Sequence, residues 1–378
     1  MTRRPRSRKP PNNRDPTAPA ALPDCRREID RIDEEIIALL DARARVARRV
    51  GELKAARGDD YFDAGRHMQL LGGIAQRGDG DFPREGLRNV YGEILSACLN
   101  LQSPQTIAYH GPEGGFAHLA ALRAFGRSPR FLARPTIGGV FEAVQKLEAH
   151  FGVVPVETTT EGIMHATLDE FTRTDLSICA EVQLPIRHHL LGRGPMRGVR
   201  RVVAEERALA QCIGRLRAQL PQARLTPAAG AIEAFRAARR SPAAAAIGSK
   251  QAAETHGLEV LAEGIEDVKG ALVRFIAIGH RSPDPSEFDR TSVMLALKDE
   301  PGALHHLLKP FADRKINLRR IDSRPSGRPW EYVFFLDIEG HMSRPEVSRV
   351  LKGLRRHCTS LRVLGSYPVD RARLVRGA

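Results

Sequence analysis

Phe151-Gly-Val-Val-Pro-Val-Glu-Thr-Thr-Thr-Glu-Gly162 reads as a buried strand that runs into a polar loop. Val153 and Val154 supply the apolar run, Pro155 stops it, and residues 157–161 form a loop whose side chains a ligand could meet. Around this stretch, short apolar segments at 106–109, 176–182, 200–203, 244–247 and 272–278 alternate with helical text. That alternation predicts an α/β domain over 104–283. Gly111-Pro-Glu-Gly-Gly-Phe-Ala-His118 follows the first strand and precedes a helix, so its backbone amides can cradle an anion.

The text before this domain, 22–103, is helical. Ile29, Ile32, Ile36, Leu39, Leu40, Val46, Val50 and Leu53 recur at near-helical spacing, and no Pro or Gly interrupts 24–50. The first helix, continuing to about residue 57, would run about nine turns, too long for a small globule without partners. Breakers at 58–60 and 78–83 separate it from a second helix at 64–77 and a third at 84–101. Helices so unequal in length enclose a core poorly alone, and an intertwined homodimer is the expected solution. Arg43 and Lys54 are spaced to share one face of the long helix. Arg26 lies about 100° off that face and suits a different pocket.

Beyond a linker at 282–288 the order is strand 291–297, helix 302–314, strands 318–323 and 331–338, helix 344–356 and strand 361–367. This is βαββαβ, a ferredoxin-like unit over 288–370. The fold class is therefore multidomain: all-helical, then α/β, then a second, ferredoxin-like α/β unit.

The chain has 378 residues and a net charge of +14. Its arginines are spread along its length, with a basic arm at 1–21 that reads as disordered, so the charge suits small anionic substrates and no nucleic-acid partner is expected. No apolar run is long enough to cross a membrane, and a cytoplasmic location without membrane contact is the expectation. Cys25, Cys98, Cys179, Cys212 and Cys358 show no paired spacing, and the pairs His188-His189 and His305-His306 point adjacent side chains apart. Neither pattern predicts a disulfide framework, a metal site or a cofactor.

Cys25-Arg-Arg-Glu-Ile-Asp-Arg-Ile-Asp-Glu-Glu-Ile-Ile-Ala-Leu-Leu40, continuing through Arg43 to Val50-Gly-Glu-Leu-Lys54, resembles the all-helical chorismate mutases. The resemblance implies that Arg26 reaches the partner subunit's site, that Arg43 binds a carboxylate of chorismate, and that Lys54 and Gln102 meet the ether oxygen. Asp63 and Arg66 match polar site residues; His67 stands where a glutamate is usual and Cys98 where a serine is. These residue types fit the chemistry, because the rearrangement of a dianion needs a held conformer and donors where charge grows, without proton transfer.

The stretch 151–162, together with Gly111-Pro-Glu-Gly-Gly-Phe116, Leu184-Pro-Ile-Arg-His-His-Leu-Leu191, Ala245-Ala-Ile-Gly-Ser-Lys250 and Val273-Arg-Phe275, resembles prephenate dehydratase. That implies two lobes around a cleft, as in periplasmic binding proteins, with Glu157, Thr158 and Thr159 in the substrate loop and Arg274 as the cation for the carboxylates of prephenate. Several positions depart from the pattern: Thr158-Thr159 replaces Asn-Ser, Val273 replaces the threonine of Thr-Arg-Phe, Ala271 replaces an asparagine, and 204–207 and 226–228 are altered. Valine has no hydroxyl to donate, so weak dehydratase turnover is expected. In the last unit, Gly302, Ala303 and Leu304, and Asp322, Ser323, Arg324 and Pro325, resemble the phenylalanine-binding motifs of ACT domains, with Asp322 for the usual glutamate. The order of modules resembles the bifunctional family of phenylalanine biosynthesis. Two alternatives are a relative that decarboxylates prephenate without losing the hydroxyl, and a catalytically weakened phenylalanine-binding regulator.

Overall fold

The computed structural model describes residues 22–57, 70, 73–74, 80–325 and 331–370. Helix α1 (Leu22–Arg57) runs unbroken for 36 residues and packs against α2 (Arg84–Gln102). Its buried residues are Ala47 and Gly51. A Cβ on Gly51 would sit 2.7 Å from the carbonyl oxygen of Gln102, so glycine is what lets the two backbones come this close. The second helix expected at 64–77 falls largely outside the described residues.

The middle region forms two sheets. In the first the order is β2 (Arg130–Arg134), β1 (Thr106–His110), β3 (Phe151–Thr158), β11 (Leu272–Gly279), β5 (Ser177–Pro185), and β4 (Gly162–Ile163) pairs back on β3. In the second it is β10 (Glu259–Ala262), β6 (His189–Gly192), β9 (Ala244–Gly248), β7 (Arg201–Ala204), β8 (Arg224–Pro227). The chain passes from the first sheet to the second after β5 and returns before β11, and these crossings are tied by Ile186 N–H to Ala271 O at 2.8 Å and Ile265 N–H to His188 O at 2.8 Å. Helices α3 (Phe116–Phe125), α4 (Ile137–Gln145) and α5 (His165–Arg173) cover the first sheet; α6 (Glu206–Gln219), α7 (Ala231–Arg240) and α8 (Lys250–His256) cover the second.

Pro155 does not end its strand. β3 continues through it to Thr158, with a bulge at Val156: Phe275 pairs with Pro155 and Arg274 already with Glu157. A bulge is where a sheet tolerates a missing donor, and it re-aims the side chains that follow.

The third sheet, in the order β13 (Leu318–Pro325), β14 (Tyr332–Glu339), β12 (Asp289–Leu297), β15 (Cys358–Pro368), has α9 (Ala303–Asp313) and α10 (Pro345–Leu354) on one face. Its other face delivers Phe335, Leu364 and Tyr367 into the core of the first sheet beside Phe141 and Phe171. Each large apolar side chain buried there contributes about 1.5–3 kcal/mol, so the βαββαβ unit is docked through a true core. Among the described residues no helix is long and apolar enough to cross a membrane.

Candidate active sites

On α1, Arg43, Ala47, Gly51 and Lys54 follow one another at helical spacing, so the two cations lie on the stripe that faces α2. Lys54 stands one turn beyond the Gly51–Gln102 crossing. Cys98 is buried in α2, and Arg26 lies exposed near the start of α1. Asp63, Arg66 and His67 lie outside the described residues.

The cleft between the first two sheets is bounded by segments of both lobes. Gly114 has φ +78°, and a Cβ there would be 2.6 Å from Ala252 Cα, so the loop after β1 lies directly against the start of α8. Ser249 Oγ donates to Gly114 O at 2.5 Å, and Gly114 N–H donates to His118 Nδ1 at 3.0 Å. Burial lowers the pKa of His118, keeping that nitrogen free to accept. Opposite, Glu161 in the loop after β3 is bound by two groups of α6: Arg207 Nε at 2.6 Å and Gln211 Nε2 at 2.5 Å. Gln211 Oε1 in turn lies 2.7 Å from His188 Nε2 at the crossing, and burial lowers the pKa of His188. His110, at the end of β1, is likewise lowered by burial, against the pull of Glu205 on the other lobe.

Thr158 and Val273 are direct partners in the antiparallel register, so their side chains share one face of the sheet. Val273 belongs to the apolar cluster under α3, together with Ala271, Leu184 and Phe275. Thr158 Oγ1 accepts the N–H of Glu161 at 2.9 Å, and Thr159 Oγ1 accepts that of Leu272 at 2.9 Å. The hydroxyl missing at Val273 thus has a counterpart on the neighbouring strand.

Arg274, expected among the cleft cations with Glu157, is placed elsewhere. The bulge at Val156 puts both on the opposite face, where Arg274 is 9% exposed and its donors are taken by protein groups. Nε meets Glu181 at 3.0 Å, Nη1 meets Glu157 at 3.1 Å, and Nη2 meets Asp337 at 2.7 Å and Tyr367 Oη at 3.0 Å. Glu181 also binds Arg290, while Asp337 also accepts from Arg320 at 3.0 Å and Ser292 at 2.5 Å. Burial pushes the Asp337 carboxyl up, but Arg274, Arg320 and Arg290 outweigh it and hold the group well below the usual carboxylate range. Such a network is strongly destabilised when one partner is removed, by about 3–5 kcal/mol. Asp337→Asn should show that loss at neutral pH. Because the folded-state pKa is depressed, the contribution is complete above the unfolded value of about 4 and fades as pH falls below it. Denaturant unfolding of both proteins at pH 7 and pH 3 checks this: a difference that does not shrink in acid would refute it.

In the third sheet, Asp322 Oδ2 is buried with no hydrogen-bond partner among the described residues. Arg324 forms a two-pronged pair with Asp169 of α5, Nε at 3.2 Å and Nη2 at 2.9 Å. Ser323 and Pro325 alternate with them on the exposed side of β13, and Gly302 to Leu304 open α9 with Leu304 43% exposed.

The family models that match are chorismate mutase type II over 25–103, prephenate dehydratase over 107–283 and the ACT domain over 291–356. The chain is 40% identical over 353 residues to a bifunctional chorismate mutase/prephenate dehydratase of Aquifex aeolicus, covering 92% of this chain and 98% of that protein. It is 38% identical over 348 residues to the protein of the same name from Stutzerimonas stutzeri, covering 90% and 95%. The crystal structure of prephenate dehydratase from Arthrobacter aurescens in complex with L-Phe superposes with a TM-score of 0.65 at 33% identity, covering 70% of this chain and 90% of that one. The helical pair, the two-lobed α/β region and the βαββαβ unit occur in the order of those matches, and the chain belongs to the bifunctional chorismate mutase/prephenate dehydratase family.

Proposed function

We propose that the chain rearranges chorismate to prephenate and converts prephenate to phenylpyruvate, with phenylalanine as feedback effector, the tasks divided over 22–103, 104–283 and 288–370. The observation that carries the second step, the one the sequence leaves in doubt, is the pairing of Thr158 with Val273. It supplies a hydroxyl about 5 Å from the position where a threonine was expected.

In that step the bond from the ring to its carboxylate breaks and releases carbon dioxide, the electron pair aromatises the ring, and the ring hydroxyl departs as water after gaining a proton. Thr158 Oγ–H donates to the departing oxygen. The N–H of Glu161 on the same Oγ offsets charge left on it, and solvent restores the proton. With Arg274 turned to the other face, the amides at the start of α3 and the Arg207 guanidinium are the groups that receive the carboxylates. Arg207 exchanges Glu161 for substrate as the lobes close.

In the first step Lys54 and Gln102 meet the ether oxygen, and Arg43, Arg66 and Asp63 hold the dianion. Arg26 enters from a second copy, and His67 and Cys98 take the places of two further substrate-holding residues. Ile29, Ile36 and Leu40 are 56%, 48% and 37% exposed along α1, an apolar stripe that a homodimer would cover. Incubating the protein with chorismate and identifying every product tests both steps; accumulation of prephenate without phenylpyruvate would refute the second, and unconsumed chorismate the first.

Phenylalanine is received by Gly302, Ala303 and Leu304 and by Asp322 to Pro325, the free Asp322 oxygen accepting its ammonium. Ligand bound only by the folded form raises apparent stability, so phenylalanine should raise the unfolding midpoint of the full chain. Asp322→Asn should weaken binding by about tenfold or more, since a hydrogen bond to a charged group is worth about 1.5–3 kcal/mol. Calorimetric affinities for the two proteins decide it, and equal affinities would remove Asp322 from the role.

A further inference from the structure

Sequence spacing predicts no metal site, because it weighs neighbours along the chain. The fold brings His357, 51 residues after His306, against the segment that carries Glu300 and His306. We propose that Glu300, His306 and His357 form a binding site for a divalent transition cation, zinc above all. One ligand atom from each of these side chains lies within 4.8 Å of the other two.

They come from two segments, one carrying Glu300 and His306 and the other His357, whose backbones are fixed to one another. Glu300 lies in the turn that opens α9, and its carbonyl accepts the N–H of Ala303 at 3.1 Å. His306 is on the first turns of α9, its N–H bonded to Gly302 O at 2.9 Å. His357 lies between α10 and β15, and its carbonyl accepts the N–H of Lys298 at 3.3 Å. The main chain therefore holds the triangle, and only side-chain rotation is needed to close it. Tetrahedral zinc with bonds of about 2.0–2.2 Å sets its ligand atoms about 3.3–3.5 Å apart. Glu300 and His306 are exposed and His357 half-buried, so each side chain has room for that movement.

Two imidazoles and a carboxylate select zinc, cobalt or nickel over magnesium or calcium, which prefer all-oxygen sets. Three protein ligands leave the fourth position to water. His305 does not join; its ring is tilted 62° to that of His306 and 5.7 Å from it. One competitor stands at the site. Arg356 Nε donates to His357 Nε2 at 3.0 Å, so a guanidinium already occupies that lone pair and must swing away when the cation enters. A bound ion would pin the start of α9 to the turn before β15.

The test uses the full chain after chelator treatment and dialysis, titrated with Co²⁺ and followed by its visible d–d absorption, then displaced by Zn²⁺. Wild type should take up Co²⁺ at this site, His306→Ala and His357→Ala should each lose affinity by about tenfold or more, and Arg356→Ala should gain it. Zn²⁺ should raise the thermal unfolding midpoint of wild type and leave that of the double histidine variant unmoved. Matching unfolding midpoints without metal would establish that the variants fold. Equal uptake by wild type and the double variant, or no uptake by wild type, would overturn the proposal.

Discussion

Thr158→Val should cut the conversion of prephenate to phenylpyruvate by roughly 10² to 10⁴-fold, the range for losing a positioned proton donor. The loss should appear in kcat more than in KM, because the hydroxyl acts on a departing group and not on a carboxylate. Chorismate consumption should stay intact, so prephenate should accumulate from chorismate. Thr158→Ser keeps the hydroxyl and should retain most of the activity. It also controls for structure, since Oγ1 accepts the Glu161 N–H and valine leaves that donor unpaired. The decisive comparison is Thr158→Val with Val273→Thr, which moves the hydroxyl back across the pair. Recovery in that double variant would establish that the two positions exchange one duty. Unchanged turnover in Thr158→Val would end the assignment and turn attention to Thr159, whose Oγ1 accepts from the N–H of Leu272 at the start of β11.

What the sequence could and could not reveal follows from where each signal lies. The strands at 151–158 and 272–279 carry long apolar runs, 151–156 and 275–278, because they are central in their sheet, and periodicity finds such strands readily. β2, with Arg130 and Arg134, and β8, with Arg224, are edge strands that keep polar residues and short lengths, so they read as loop. The βαββαβ order is visible because each of its elements is punctuated by Gly, Pro or charge at both ends.

Site residues are legible as types and much less as directions. Val273 and Arg274 stand side by side in the text, yet one faces the apolar cluster under α3 and the other the third sheet, as strand alternation requires. Which of the two faces meets the third sheet depends on where that sheet docks, and no local signal carries that. The bulge at Val156, which sends Glu157 to the side of Arg274, could be suspected from Pro155 but not placed. The pairs Glu161–Arg207 and Arg324–Asp169 join segments that meet only through the lobes and the docked sheet. Arg207 is visible as a departure at 204–207 and Glu161 as part of the polar loop, but nothing local pairs the two.

Lys54→Ala should lower the rearrangement of chorismate by about a hundredfold or more, the scale for removing a donor to developing charge. As the carbon–oxygen bond of the ether lengthens, negative charge grows on the oxygen, and an ammonium placed there stabilises the transition state more than the ground state. The placement rests on packing as well as type. Arg43, Ala47, Gly51 and Lys54 form the stripe of α1 that meets α2, and Gly51 touches the backbone of Gln102, proposed above as the second donor. Gly51→Ala should therefore also impair the reaction, since its Cβ would fall 2.7 Å from Gln102 O and force the helices apart. Lys54 is only half-buried, so alanine there should leave the fold intact. The other activity of the chain supplies the control: with prephenate added directly, Lys54→Ala should make phenylpyruvate at the wild-type rate. Wild-type consumption of chorismate by Lys54→Ala would remove the lysine from the mechanism. Equal loss of both activities would instead mean that the variant has damaged the fold, and Lys54→Gln, one atom shorter but still a neutral donor, would then separate charge from packing.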